Sequence, residues 1–180
     1  MASTVENQLL EAGAEVEWLG SGYGAFTEAG GMLGVAEGPV WLPDEQALSF
    51  NDSGNATRYR WTEAEGITVV RTDTHDANGS TRDRQGRLVS CEHAARRVTR
   101  EEPDGSFTVI ADNYRGLALN RPNDVVVRSD GSIWFTDPLT FEVDTELDLA
   151  GVFRVSPDLS RINLVVRDFN MPNGLAFSPD

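Results

Sequence analysis

The 180-residue sequence has a single cysteine, Cys91, and two histidines, His75 and His93. One cysteine excludes an intramolecular disulfide framework. With so few histidines and cysteines there is no cluster of the kind that points to zinc. Basic residues are scarce, 15 against 29 acidic ones, for a formal charge of −14. Nucleic acid and anionic membranes both need a positive surface, so no nucleic acid and no membrane is expected as a partner. The surplus carboxylate is compatible with a cation site, although surface solvation alone would account for it. No apolar run approaches membrane-spanning length, and the N-terminus lacks a basic segment followed by an apolar one. A cytoplasmic address is the default expectation. Heptads, low-complexity tracts and long amphipathic helices are also missing. What is left, 39% apolar and 24% charged residues, is ordinary for a globular domain with a sizeable core.

What is present is a repeat. Asn120 to Pro138 reads as two strands, Val125-Val126-Val127 and Ile133-Trp134-Phe135, joined at Ser129-Asp130-Gly131-Ser132. The Asp-Gly pair suits a tight turn that needs positive φ. Asn123 and Asp124 stand where the first strand begins. Three other stretches fall into step with this one, led by Glu37, Asn78 and Asn173. The four lead residues are 41, 45 and 50 positions apart, and each bears a side-chain oxygen. Several short strands repeating at roughly 40–50 residues are the signature of a β-propeller, in which equivalent lead residues converge on a central channel. The fold class is therefore all-β, a β-propeller, with about three to three and a half blades in these residues.

Taken in order, residues 1–33 read as an N-terminal leader, with a short helix over Thr4–Leu10 and a glycine-rich loop or edge-strand approach over Gly20–Gly34. Residues 34–180 read as a partial propeller. Its first blade holds the hairpin Ala36–Asn51 and outer strands over Thr57–Trp61 and Ile67–Arg71. The second runs from Asn78 to about Ala111, with strands over Arg96–Arg100 and Phe107–Ala111. Asn113–Asn120 is a connection and Val143–Gly151 a longer loop. Gly151–Val155 and Ile162–Val166 close the third blade. Asn173–Phe177 opens a fourth, and the pattern stops within its hairpin. A part-ring leaves raw sheet edges, so self-association through open blade edges is expected unless something completes it.

Each candidate site residue has a plain structural alternative. Glu37, in Val-Ala-Glu-Gly-Pro-Val-Trp, could be a turn carboxylate bonding local amides. Pro-Asn before Asp or Gly, at Asn123 and Asn173, is ordinary turn chemistry. Periodicity favours function, because separate turns deliver an oxygen ligand to the same end of the same kind of strand. One carboxylate with several amides suits a hard divalent cation. Calcium is the first choice, with zinc, magnesium or manganese as alternatives. His93, with Arg97 near it, could contact substrate, or its ring could simply bond a backbone carbonyl; structure is the favoured reading. His75 is read as solvated and Cys91 as a buried small hydrophobe; Asp124 and Asp137 could support the ligands from behind or be simple turn caps, and caps are the favoured reading.

Four segments, Ala-Glu-Gly-Pro-Val-Trp, Arg-Leu-Val-Ser-Cys-Glu-His, Arg-Pro-Asn-Asp-Val-Val-Val with Ile-Trp-Phe-Thr-Asp-Pro, and Met-Pro-Asn-Gly-Leu-Ala-Phe-Ser-Pro-Asp, also carry a likeness to a known family. Over about residues 33–180 they resemble the SMP-30/gluconolactonase/LRE-like family. The resemblance implies a six-bladed propeller of about 300 residues that hydrolyses sugar lactones or related cyclic esters. It also implies one divalent metal held by a Glu, two Asn and an Asp, matched here by Glu37, Asn123 and Asn173 as metal ligands. Asn123, Arg97 and His93 become the substrate-binding candidates. The family's Asp, also its presumed general base, has no match among these residues, so the catalytic residue is unknown.

Such a metal would polarise a lactone carbonyl and lower the pKa of a bound water, with a nearby carboxylate taking the proton. That chemistry leaves Ser90, Cys91 and His93 without a nucleophilic role. The rival reading, from another class, is a non-catalytic propeller fragment or binding module that lacks the general base.

Overall fold

A computed structural model of the chain describes residues 13–23, 35–139 and 145–178. The expected helix over Thr4–Leu10, most of the glycine-rich loop and the start of the loop at Val143 lie outside the described residues. The propeller fold holds. Ala36–Leu42 (β1), Ala47–Asp52 (β2), Thr57–Thr62 (β3) and Gly66–Arg71 (β4) form one four-stranded antiparallel sheet in sequence order. Ala77–Arg82 (β5), Leu88–Glu92 (β6), Arg97–Glu101 (β7) and Phe107–Ala111 (β8) form a second. A two-stranded ribbon follows, Asn113–Tyr114 (β9) with Leu117–Ala118 (β10). Val125–Val127 (β11), Ile133–Asp137 (β12), Gly151–Val155 (β13) and Ile162–Val166 (β14) form the third sheet. The first strands lie side by side, β1 against β5 and β5 against β11, so the three blades fan around a shared inner edge.

Turn chemistry sets the strand ends. Gly131, at φ +87, closes the β11–β12 hairpin, and the Asp130 carboxylate accepts from the Ser132 N–H at 2.8 Å. The same Asp-Gly-Ser device joins β7 to β8, where Asp104 accepts from the Ser106 N–H at 2.9 Å. Asx turns of this kind satisfy backbone donors that a hairpin would otherwise leave bare.

The two seams between blades are built differently. Strand residues alternate faces, so Val89 and Cys91 of β6 point toward the third blade while Ser90 and Glu92 point back toward the first. Val89, Cys91 and Val98 join Val125, Ile133, Phe135 and Phe153 in one apolar cluster. Phe135 and Phe153 stack with centroids 5.3 Å apart. Burying a side chain of this size is worth roughly 1.5–3 kcal/mol. Cys91 is fully buried here, and His75 is exposed.

The seam between the first and second blades is polar. Arg58 of β3, 4% exposed, donates to Asn51 Oδ1 at 3.0 Å and Ser90 Oγ at 2.9 Å. It also pairs with Glu101 at 3.3 Å. Burial lowers the Arg58 pKa to about 10, with Glu101 opposing the shift. Asn51 completes the seam by donating to the Asn78 carbonyl at 2.7 Å.

Three expectations need correction. The connection after Ala111 contains the β9–β10 ribbon, whose two-residue strands are too short to show alternation. Its turn is Arg115-Gly116, both at positive φ, as a tight hairpin requires. Arg96 is a turn residue at φ +53 rather than the start of β7. Asn173–Phe177 is not a strand. In each described blade the first strand pairs with the strand that follows it, and no following strand for this segment is among the described residues.

Candidate metal centre

Two glycines let the inner strands close up. A Cβ on Gly38, at φ +56, would collide with the Asn78 carbonyl and come within 2.7 Å of the Ser80 nitrogen. A Cβ on Gly79 would come within 2.6 Å of Asp124 Cα and 2.7 Å of the Asn123 carbonyl oxygen. With that space empty, the Gly79 N–H donates to the Asn123 carbonyl at 2.8 Å. Bulges between Glu37 and Val40, and between Ala77 and Ser80, mark the same places in β1 and β5. Glu37 and Asn78, each just before one of these glycines, thereby stand at the inner edge of their blades.

The result is a cavity of about 310 Å³ that Glu37, Asn78, Asn123, Asp124 and Asn173 all line. Its donors come from every repeat. Glu37 is half-buried, Asn123 is 8% exposed and Asn173 is exposed. Burial, and then the charge of Asp124, push the Glu37 carboxyl above its ordinary value. Two carboxylates with amide oxygens around one polar cavity are a hard donor set, and a divalent cation would relieve the repulsion between them. Among the described residues there is no group of three or more His, Cys, Asp and Glu side chains fit to hold a metal. The amide-rich set around Glu37 is of another kind, and its chemistry fits calcium or a similar oxygen-seeking ion.

The remaining candidates separate. His93 is beside Asn123: the amide nitrogen and the ring Nε2 are 3.5 Å apart. Burial, reinforced by the charge of Arg121, lowers the His93 pKa to about 4. A neutral ring accepts at Nε2 from the amide N–H₂, which turns Asn123 Oδ1 away from the ring. Arg97 lies elsewhere. Its Nε donates at 2.7 Å to Glu92, a carboxylate with no exposure, so its guanidinium is part of the blade seam and lines none of this cavity.

Asn78, a lead residue of the repeat not counted among the ligands, and Asp124, for which capping was the favoured reading, also belong to the cavity. Asp124 is a cap as expected, accepting from the Val125 N–H at 2.9 Å. It also lines the cavity and accepts from the Leu175 N–H at 3.0 Å. The signal for it was positional, since it stands where the other three repeats have glycine. Asp137 caps as well, accepting from the Asn120 and Arg121 N–H groups at 2.8 Å each.

Known proteins share this architecture. The gluconolactonase of Zymomonas mobilis is 30% identical over 165 residues, covering 81% of this chain and 46% of that protein. A solved gluconolactonase from Xanthomonas campestris superposes with a TM-score of 0.75 at 38% identity, over 81% of this chain and 52% of that one. Regucalcin from Agrobacterium tumefaciens, a calcium-binding protein, shares the fold at a TM-score of 0.63 and 18% identity, over 81% of this chain and 48% of its own. The chain thus spans about half the length of the relatives it matches. The family description SMP-30/Gluconolactonase/LRE-like region fits residues 35–180, and with the blades and inner-edge residues described above, the chain belongs to that family.

Proposed function

We propose that this protein is a metal-dependent lactonase, hydrolysing a sugar lactone or a similar cyclic ester, with Glu37, Asn123 and Asn173 as ligands of one divalent cation. The observation that supports this most is their meeting in one polar cavity, where the Glu37 carboxyl is raised by burial and by Asp124. The gluconolactonase relatives supply the substrate class. Glu37 contributes negative charge, and Asn123 and Asn173 contribute neutral amide oxygens that leave a bound cation strongly Lewis acidic. When bound, the cation supplies carbonyl polarisation and a lowered pKa for water. His93, neutral and hydrogen-bonded to the Asn123 amide, holds that amide in one orientation. Arg97 has no part in this reading, because its guanidinium is already spent on Glu92.

The test is calcium titration by calorimetry on the purified chain, with lactone hydrolysis followed by pH-stat. Binding that is lost in Glu37→Gln and Asn173→Ala supports the site. Retained binding in both variants rejects it. Metal binding without turnover favours the rival reading, a propeller portion that holds a cation without catalysing.

A further inference from the structure

We propose that Thr136 is a positioning residue that fixes Asn123 and Asn173 relative to each other; this rests on the reading of those two asparagines as ligands. Thr136 stands on β12 and is 2% exposed. Its carbonyl accepts from the Asn123 N–H at 2.8 Å, and its own N–H donates to the Asp124 carbonyl at 2.9 Å. Its hydroxyl oxygen accepts from the Asp124 N–H at 3.0 Å. The hydroxyl proton has two carbonyls in reach, Asn173 at 2.7 Å and Asp124 at 3.5 Å, and goes to the nearer. One buried residue is therefore bonded to the main chain of both ligand segments.

The link to Asn173 matters because residues 171–178 carry no strand ladder among the described residues. Residues 173–175 are tied to the third blade by the Thr136 hydroxyl and by the Asp124 carboxylate on the Leu175 N–H at 3.0 Å, and two residues further on Phe177 packs edge-on against Trp134 with centroids 5.6 Å apart. A threonine hydroxyl offers one donor and two acceptor sites, and this one joins the third blade to the segment at Asn173. Valine has the same shape and neither capability. Thr136→Val would leave the Asn173 carbonyl free to drift while packing on β12 is kept.

The experiment has two arms. Calcium calorimetry compares the wild type with Thr136→Val, Thr136→Ser and Asn173→Ala. Thr136→Val should bind roughly tenfold more weakly, the scale of one lost hydrogen bond. Thr136→Ser should restore most of the affinity. In the Asn173→Ala background, Thr136→Val should cost less than in the wild type, since only the lost acceptor for the Asp124 N–H remains to be felt. Amide hydrogen exchange of Leu175, measured without metal, should accelerate about tenfold in Thr136→Val and recover in Thr136→Ser. Unchanged exchange at Leu175 overturns the positioning role. So does unchanged affinity in Thr136→Val when Asn173→Ala weakens binding. If Asn173→Ala itself binds calcium as the wild type does, the ligand reading fails, and the exchange arm still decides whether Thr136 holds this segment.

Discussion

The carboxylate of Glu92, without solvent exposure on the second strand of its blade, is met at 3.3 Å by Arg71 from the outermost strand of the blade before it. Arg97 holds the other carboxylate oxygen at 2.7 Å, and Thr99 Oγ1 donates at 3.1 Å. A carboxylate taken out of water persists only when its lone pairs are satisfied this fully. The two blades are therefore joined by charge where the next two are joined by apolar packing.

Glu92→Gln should destabilise the chain by about 3 kcal/mol. That is the low end of the range for breaking a buried pair, since Arg71 and Arg97 keep partial access to water. Urea unfolding of the wild type and the variant measures it. A difference below about 1 kcal/mol would mean that the seam depends on packing instead.

Much of this fold was legible because its turns are chemically explicit. Asp104-Gly105 and Asp130-Gly131 mark hairpins, and β8 and β11 run over the residues expected from apolar runs alone. The lead residues were legible for a different reason: Glu37, Asn123 and Asn173 sit at one repeat position, and that position faces the inner edge. The polar seam was not legible. Arg58 and Ser90 are 32 residues apart, and nothing local in Thr-Arg-Tyr-Arg-Trp says which arginine turns inward. Arg97 looked available for substrate because a guanidinium across one tight turn from His93 has no visible partner in sequence. Its partner, Glu92, is claimed through strand pairing. Asp124 was hidden by doing two jobs, of which capping was the commoner.

Asp137 gives a pH signature. Burial raises its carboxyl from 3.8 to about 7, against the N–H groups of Asn120 and Arg121 and the charge of Arg96. Between about pH 4 and 7 the folded chain keeps a proton that the unfolded chain has released. Stability from this group is therefore complete below pH 4 and is lost as pH rises toward 7. The slope is at most about 1.4 kcal/mol per pH unit. Asp137→Asn should remove it, so the wild-type advantage over the variant should shrink steadily from pH 4 to 7 in chemical denaturation. An advantage that does not change with pH would mean the carboxyl ionises normally.

Gly79 and Gly174 occupy equivalent repeat positions and should respond to alanine in opposite ways. At Gly79 the added Cβ would come within 2.6 Å of Asp124 Cα and 2.7 Å of the Asn123 carbonyl, backbone atoms that cannot swing aside. At Gly174 the nearest atom is Asp124 Oδ2, at 3.8 Å, an ordinary contact. Gly79→Ala must therefore push β5 from β11, breaking the Gly79 N–H bond to Asn123 and displacing a proposed ligand. Overpacking of this kind costs about 1–3 kcal/mol, whereas Gly174→Ala should stay within about 0.5 kcal/mol of wild type. Thermal unfolding with and without calcium separates the effects. Gly79→Ala should lower Tm in both conditions and lose the stabilisation that calcium gives, while Gly174→Ala should keep it. If both variants behave as wild type, the inner strands have room that this packing denies them, and the close approach of β5 to β11 is not what shapes the cavity.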